Sequence, residues 1–125
     1  MATAQVVKVL IVDDDSVIRG VHKMLLARFA GFQITEAENG KVAVDHFSDG
    51  NEFDLVLMDK EMPEMDGVKA TRALKSMGAT GKIVAITADE SSMEAFMDAG
   101  ADKFMTKPIG RSELGDILKT FNLLN

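Results

Sequence analysis

The chain has 125 residues, 46% hydrophobic and 27% charged, with no cysteine and a formal net charge of −6. That length suits one domain with a sizeable core, and the missing cysteines exclude a disulfide framework or a thiolate metal site. The acidic balance argues against a nucleic-acid surface, which needs a concentrated basic face.

The N-terminal stretch "MATAQVVKVL" lacks the charged-then-apolar layout of a signal peptide and runs straight into an apolar segment. No apolar run approaches the length that spans a bilayer. A cytoplasmic protein is expected, with the nucleus as a second compartment. No Pro/Ser-rich linker, low-complexity tract or internal repeat divides the chain.

The first predicted strand is "VVKVLIV", Val6–Val12, and it ends in Asp13, Asp14 and Asp15. A helix follows, in which Val17, Val21, Met24, Leu25 and Phe29 recur on one face and Gly31 stands at the C-terminal stop. The second strand is "FQITEA", Phe32–Ala37, and "AENG" before Lys41 signals the next helix start. The third strand, "DLVLM" (Asp54–Met58), ends at Asp59; Asp66 before Gly67 then opens a third helix. The fourth strand, "KIVAIT" (Lys82–Thr87), ends at Thr87. It is followed by "SSMEAFMDAG", where Ser91 and Glu94 have capping-box spacing and Gly100 marks the stop. The fifth strand, "DKFMT" (Asp102–Thr106), delivers Lys107 just before Pro108. In the last helix Leu114, Ile117, Leu118 and Phe121 fall at i, i+3, i+4 and i+7.

Val9–Val12 and Leu55–Met58 are apolar without alternation, as strands covered on both faces of a parallel sheet should be. Strands alternating with helices give a repeated (βα) pattern, and right-handed crossovers make it a doubly wound α/β sheet. Ligands of such sheets sit beyond the carboxyl ends of the strands. Asp13, Asp14, Asp59, Thr87 and Lys107 all leave strands at that edge.

Carboxylates gathered there repel: two unit charges about 4 Å apart cost about 4 kcal/mol at an effective dielectric near 20. Lys107 supplies one compensating charge, and a hard divalent cation with oxygen ligands, such as Mg²⁺, is the natural complement. A hydroxyl and an ammonium opposite the acids suit phosphoryl oxygens, since phosphoryl transfer needs mainly positioning and charge neutralisation. Asp59 is then the nucleophile, forming an acyl phosphate.

Each residue has a plainer role when taken singly. Asp13 with Asp14 can cap the helix that begins near Ser16, Asp59 can be a turn residue, Thr87 a strand residue and Lys107 a solvated lysine. Their coincidence at the ends of separate strands favours a shared site. Glu61 and Asp89 are expected at its rim, either steering water and anionic donors or simply solvated. His22 and His46 have no metal partner at ligand spacing and are expected to pack helices or face solvent; Met62 and Met65 are expected to pack the Pro63 turn. No phosphate loop, nucleophile elbow or HExxH is present.

Together "VLIVDDDSVIR", "LVLMDKEMPEMDG", "IVAITAD" and "KFMTKPI" resemble the receiver domain of two-component response regulators, over nearly the whole chain from Val6 to Leu124. The resemblance implies a flavodoxin-like (βα)5 fold with strand order 2-1-3-4-5, as one receiver domain (6–125) after a short tail (1–5). It implies phosphorylation of Asp59 by a phosphohistidine donor, a histidine-containing phosphotransfer protein or a histidine kinase. Mg²⁺, with Mn²⁺ as a substitute, would be held directly by Asp14 and Asp59, by Asp13 through water and by the main-chain carbonyl of Glu61. Thr87 and Lys107 would bind the phosphoryl group, Thr87 and Phe104 would form the switch, and Lys107–Pro108 would be cis.

"MDKEMPEMDG" looks most like the plant stand-alone (type-C) response regulators, which are similar to phosphohistidine phosphatases acting on phosphotransfer proteins. A signalling receiver and such a phosphatase use the same atoms and differ in the lifetime of the acyl phosphate. An aspartate-nucleophile hydrolase would resemble DxDx[TV], from which "DKEMP" departs. A monomer is expected, with its partner surface at the pocket rim and the first helix. There Val17, Ile18 and Val21 are more apolar than core packing requires.

Overall fold

Five strands, β1 (Val7–Val12), β2 (Phe32–Ala37), β3 (Leu55–Met58), β4 (Lys82–Thr87) and β5 (Lys103–Thr106), pair in parallel in the order β2-β1-β3-β4-β5. The computed structural model in which they are seen describes residues 6–29 and 31–124, so the expected tail, 1–5, lies outside the described residues. The helices are α1 (Ser16–Leu26), α2 (Gly40–Ser48), α3 (Gly67–Ser76), α4 (Met93–Ala99) and α5 (Arg111–Thr120). This is the (βα)5 arrangement read from the sequence. Strand bounds agree to within a residue: Val6 is exposed, and Asp54 and Asp102 stand just outside β3 and β5. Their carboxylates accept the amides of Lys8 and Ile83, each at a distance that extends the neighbouring ladder, 2.9 and 2.8 Å.

The pleat sorts the central strands into two cores. Leu10, Val12, Val56, Met58, Ile83 and Ala85 pack against the side of the sheet covered by α2, α3 and α4, through Ala43, Ala70, Leu74 and Phe96. Their neighbours Val9, Ile11, Leu55, Leu57, Val84 and Ile86 face the opposite side, against Leu26, Leu114, Ile117 and Leu118 of α1 and α5. Burial on both faces explains the absence of alternation in β1 and β3. Truncating a buried leucine such as Leu57 to alanine is expected to cost about 2–5 kcal/mol.

α1 buries a different stripe from the one its residue types suggest. His22 and Leu26 are buried, with Ile18, Leu25 and Phe29 half-buried beside them. Of the apolar face read along this helix, Val17 and Met24 are 70% and 67% exposed and Val21 is 42% exposed, in keeping with Val17 and Val21 exceeding what the core requires. The cause is that α1 carries two adjacent apolar stripes, and the one holding a histidine lies on the sheet. Gly31 does not stop α1, which ends at Leu26 with Ala27 as its cap. Instead Gly31, at φ +87°, turns the chain into β2, and its carbonyl accepts the amide of Val7 at 2.8 Å.

The other helix starts also show which capping signals held. Asn39 and Asp66 cap α2 and α3 as expected, accepting the amides of Val42 and Lys69; such caps contribute about 1 kcal/mol each. The Ser91–Glu94 capping box does not form. Asp89 caps a single 3₁₀ turn (Glu90–Ser92) ahead of α4, so the chain is already turning before Ser91. Gly100 ends α4 in the left-handed conformation, φ +109°, as expected. Among the described residues no helix is long and apolar enough to cross a membrane.

Candidate functional site

Val12 and Met58 are partners on neighbouring strands, and the amide of Asp59 donates to the carbonyl of Val12 at 2.9 Å. Asp13 and Asp59 therefore leave adjacent strands side by side, at the spacing of one strand pair. Both are nearly buried, 2% and 8% exposed, whereas Asp14 is exposed. Asp13, Asp14 and Asp59 each offer a carboxylate oxygen, and these oxygens lie within 4.8 Å of one another. The cap of α1 is Asp15, which accepts the amide of Val17 at 2.9 Å. Asp15 thus fills the capping role that Asp13 and Asp14 offered by position.

Lys107 arrives from the far side of the sheet. Thr87 pairs with Thr106, and the amide of Lys107 donates to the carbonyl of Thr87 at 2.9 Å. From there its ammonium lies 2.8 Å from Asp13 Oδ2 and 3.1 Å from Asp59 Oδ1. The following Lys107–Pro108 bond is cis. Asp59, Glu61, Thr87, Ala88, Asp89 and Lys107 line an open depression of about 300 Å³.

The electrostatics follow from this crowding. Burial pushes the Asp59 carboxyl above its ordinary value; the charge of Asp13 pushes the same way, and the hydrogen bond and charge of Lys107 offset part of the effect. Burial alone would lower the Lys107 pKa, but its hydrogen bonds to Asp13 and Asp59 outweigh that and raise it. His22 lies beneath this cluster, and burial holds its pKa down. Clustered carboxylate oxygens facing a single ammonium suit a hard, oxygen-seeking divalent cation.

The structure thus gathers Asp13, Asp14, Asp59 and Lys107 directly, and sets Thr87 and Glu61 on the same depression. Thr87 is buried, and its hydroxyl accepts the amide of Asp89 at 3.2 Å. Phe104 is apart from this group, half-buried on β5 with its ring 6.1 Å from that of Phe96. His46 packs edge-on against Phe53, and Met62 and Met65 pack on the α2–α4 side of the sheet, as expected.

Two side chains escaped the sequence reading. Arg19 donates to the carbonyl of Asp13 at 2.7 Å and pairs with Glu36 at 3.1 Å, clamping the end of β1. Lys60 pairs with Asp89 at 2.8 Å, and that contact pulls the Asp89 carboxyl down to about 2. Their partners are 17 and 29 residues away, and long polar side chains carry no periodic signal. A basic residue directly after an acid at a strand end was the one available hint.

The sequence pattern of the response regulator receiver domain family matches residues 9–119. The chain is 45% identical over 123 residues to the two-component response regulator ORR41 of Oryza sativa subsp. japonica, covering 95% of this chain and 97% of that protein. It is 42% identical over 114 residues to the two-component response regulator ARR22 of Arabidopsis thaliana, covering 88% and 80%. Among solved structures, the response regulator TrrA of Thermotoga maritima in complex with Mg(2+)-BeF superposes with a TM-score of 0.82 at 31% identity, over 92% of this chain and 98% of that one. The receiver domain of the sensor histidine kinase PA1611 of Pseudomonas aeruginosa, with magnesium in its active-site cleft, gives 0.80 at 29% identity, over 93% and 97%.

Proposed function

Since the chain belongs to the family of response regulator receiver domains, we propose that residues 6–125 form one phosphoacceptor unit. In it Asp59 takes a phosphoryl group from a phosphohistidine of a phosphotransfer protein or a histidine kinase. The observation that carries this reading is the reach of Lys107 to both Asp13 and Asp59. It sets a nucleophile, its neighbouring acids and a fixed ammonium in one depression at the carboxyl edge of the sheet.

In the forward step a carboxylate oxygen of Asp59 bonds to phosphorus. The P–N bond breaks, and its electron pair leaves with the imidazole nitrogen, which takes up a proton. In the terminating step water attacks the same phosphorus, the P–O bond to Asp59 breaks with its electron pair returning to the carboxylate, and inorganic phosphate and a proton leave. Lys107 and the hydroxyl of Thr87 orient the phosphoryl oxygens. Asp14 and Asp59, the main-chain carbonyl of Glu61, and Asp13 through water are the groups that would hold Mg²⁺, or Mn²⁺ in its place. Two receiver structures similar to this chain contain magnesium, which supports a cation at this acidic cluster. When bound, the cation supplies the positive charge that lets acids and phosphoryl oxygens share the depression.

The partner surface is α1. Val17, Val21 and Met24 form an exposed apolar stripe at i, i+4 and i+7, on the helix that begins beside Asp13 and Asp14. A phosphotransfer protein seated there would bring its phosphohistidine to the rim of the depression.

The test is incubation with a phosphorylated histidine phosphotransfer protein, with and without Mg²⁺, for the wild type and for Asp59→Asn. Label should reach the wild type only with Mg²⁺ and should not reach Asp59→Asn. Label that persists on the chain marks a signal carrier, and label released rapidly as inorganic phosphate marks a phosphohistidine phosphatase. Transfer unchanged in Asp59→Asn overturns the assignment.

A further inference from the structure

One contact at the rim has no part in that chemistry: the ion pair between Lys60 Nζ and Asp89 Oδ2, 2.8 Å apart. Lys60 directly follows Asp59, and Asp89 stands two residues beyond Thr87. The pair therefore ties the segment between β3 and α3 to the segment between β4 and α4.

Both ends of this tie are held from behind. The carbonyl of Lys60 accepts the amide of Gly67 at 2.8 Å, and a Cβ on Gly67 would lie 1.8 Å from the carbonyl oxygen of Asp59. The backbone at Lys60 has no slack toward α3. On the other side, Asp89 Oδ1 accepts the amide of Ser91 at 3.1 Å, and the carbonyl of Asp89 accepts the Ser92 hydroxyl at 2.7 Å. Its own amide donates to the Thr87 hydroxyl at 3.2 Å. Asp89 is thus where Lys60, the hydroxyl of Thr87 and the turn leading into α4 meet.

A Thr87 hydroxyl drawn toward a phosphoryl group on Asp59 must lengthen its contact with the Asp89 amide. Asp89 is held by the Lys60 ammonium on one side and by Ser91 and Ser92 on the other, so a shift of its amide disturbs both sets of contacts. We propose that the Lys60–Asp89 pair is a latch holding Thr87 and the β4–α4 segment in the phosphoryl-free arrangement. Lys60 is then a positioning residue that sets how readily the site closes on a phosphoryl group. A ligand gains only its differential affinity for the closed arrangement, so a latch favouring the open one weakens phosphoryl binding. Ion pairs this accessible contribute modestly, so the latch tunes the balance by about two- to fivefold. The proposal rests on the reading of Asp59 as the acceptor.

The test uses the whole chain, Lys60→Met, Asp89→Asn, the double variant and the swap Lys60→Asp/Asp89→Lys. Each is titrated calorimetrically with beryllofluoride in the presence of Mg²⁺, and amide exchange is followed without ligand. Each single variant should bind beryllofluoride about two- to fivefold more tightly. The double should gain no more than a single, and the swap should return toward the wild type. Amides of Asp89, Ser91 and Ser92 should exchange faster in Lys60→Met while the thermal midpoint is held. A wild type that binds beryllofluoride while the single variants match it in affinity and exchange, or add in the double, overturns the latch. A wild type that does not bind beryllofluoride overturns the acceptor reading instead.

Discussion

The Lys107 ammonium sits 2.8 Å from a carboxylate oxygen of Asp13, closing a loop of 94 residues between the first strand and the last. It joins the two ends of the fold at the same point where it neutralises part of the acid cluster. Removing one partner of a buried pair costs about 3–5 kcal/mol. The Lys107 side chain keeps 19% of its surface in water, so Lys107→Met is expected to cost less, about 2–3 kcal/mol in metal-free buffer. Mg²⁺ should recover more stability in this variant than in the wild type, because the acids then face no competing cation. Denaturant titrations with EDTA and with Mg²⁺ check this, and an equal gain from Mg²⁺ in both proteins would argue against a shared site.

Asp59 gives a pH signature. Burial first, and then the charge of Asp13, raise its pKa above the ordinary 3.8. The folded protein therefore holds this proton more tightly than the unfolded chain does. The resulting stability is fully present below about pH 3.8 and is lost as pH rises through the folded value. Asp59→Asn, which carries no charge to bury, should melt a few degrees above the metal-free wild type at pH 7. Each kcal/mol recovered is worth about 2–8 °C. That lead should close as pH falls toward 4, and a variant no more stable than the wild type at pH 7 would count against the repulsion.

The exposed stripe on α1 separates docking from chemistry. Val17→Glu or Met24→Glu should leave stability within about 0.5 kcal/mol, since neither side chain is packed. Phosphorylation by a small acyl phosphate should also be unchanged. Transfer from a phosphohistidine protein should fall at least tenfold, about 1.4 kcal/mol of lost docking. Equal transfer rates would move the partner to another face.

Gly67 is a backbone fixture of the acceptor. Any Cβ there meets the Asp59 carbonyl at 1.8 Å, and the atom in the way is main chain rather than a flexible side chain. Gly67→Ala is expected to destabilise by about 3 kcal/mol and to slow phosphorylation of Asp59 even in the folded fraction. Circular dichroism melts and small-donor phosphorylation report the two effects separately.

The strand ends were legible because a fully buried strand cannot carry an acid without a reason, and Asp13 and Asp59 each followed an uninterrupted apolar run. Lys107 was legible only through its position after β5 and the family pattern around it. The face of α1 was not, since Val17, Val21 and Met24 look more apolar than a stripe containing His22. Burial there was decided by how the helix lies on β1 and β2 and beside α5. The Ser91–Glu94 pair had the right spacing for a cap, yet Asp89 began the turn earlier. Lys60 and Arg19 were invisible for a different reason: their partners lie far along the chain, and only the fold brings them near.

The partnership of Val12 with Met58 has a consequence for how this chain tolerates change. The distance between the two neighbouring acids is a by-product of strand length, counted from Val7 and from Leu55. Adding a single residue inside either strand would flip its terminal carboxylate to the opposite side of the pleat. The two apolar layers could still be filled, and the product could be a folded but chemically silent protein. Insertions and deletions in these few positions should therefore be rarer than substitutions among their aliphatic side chains.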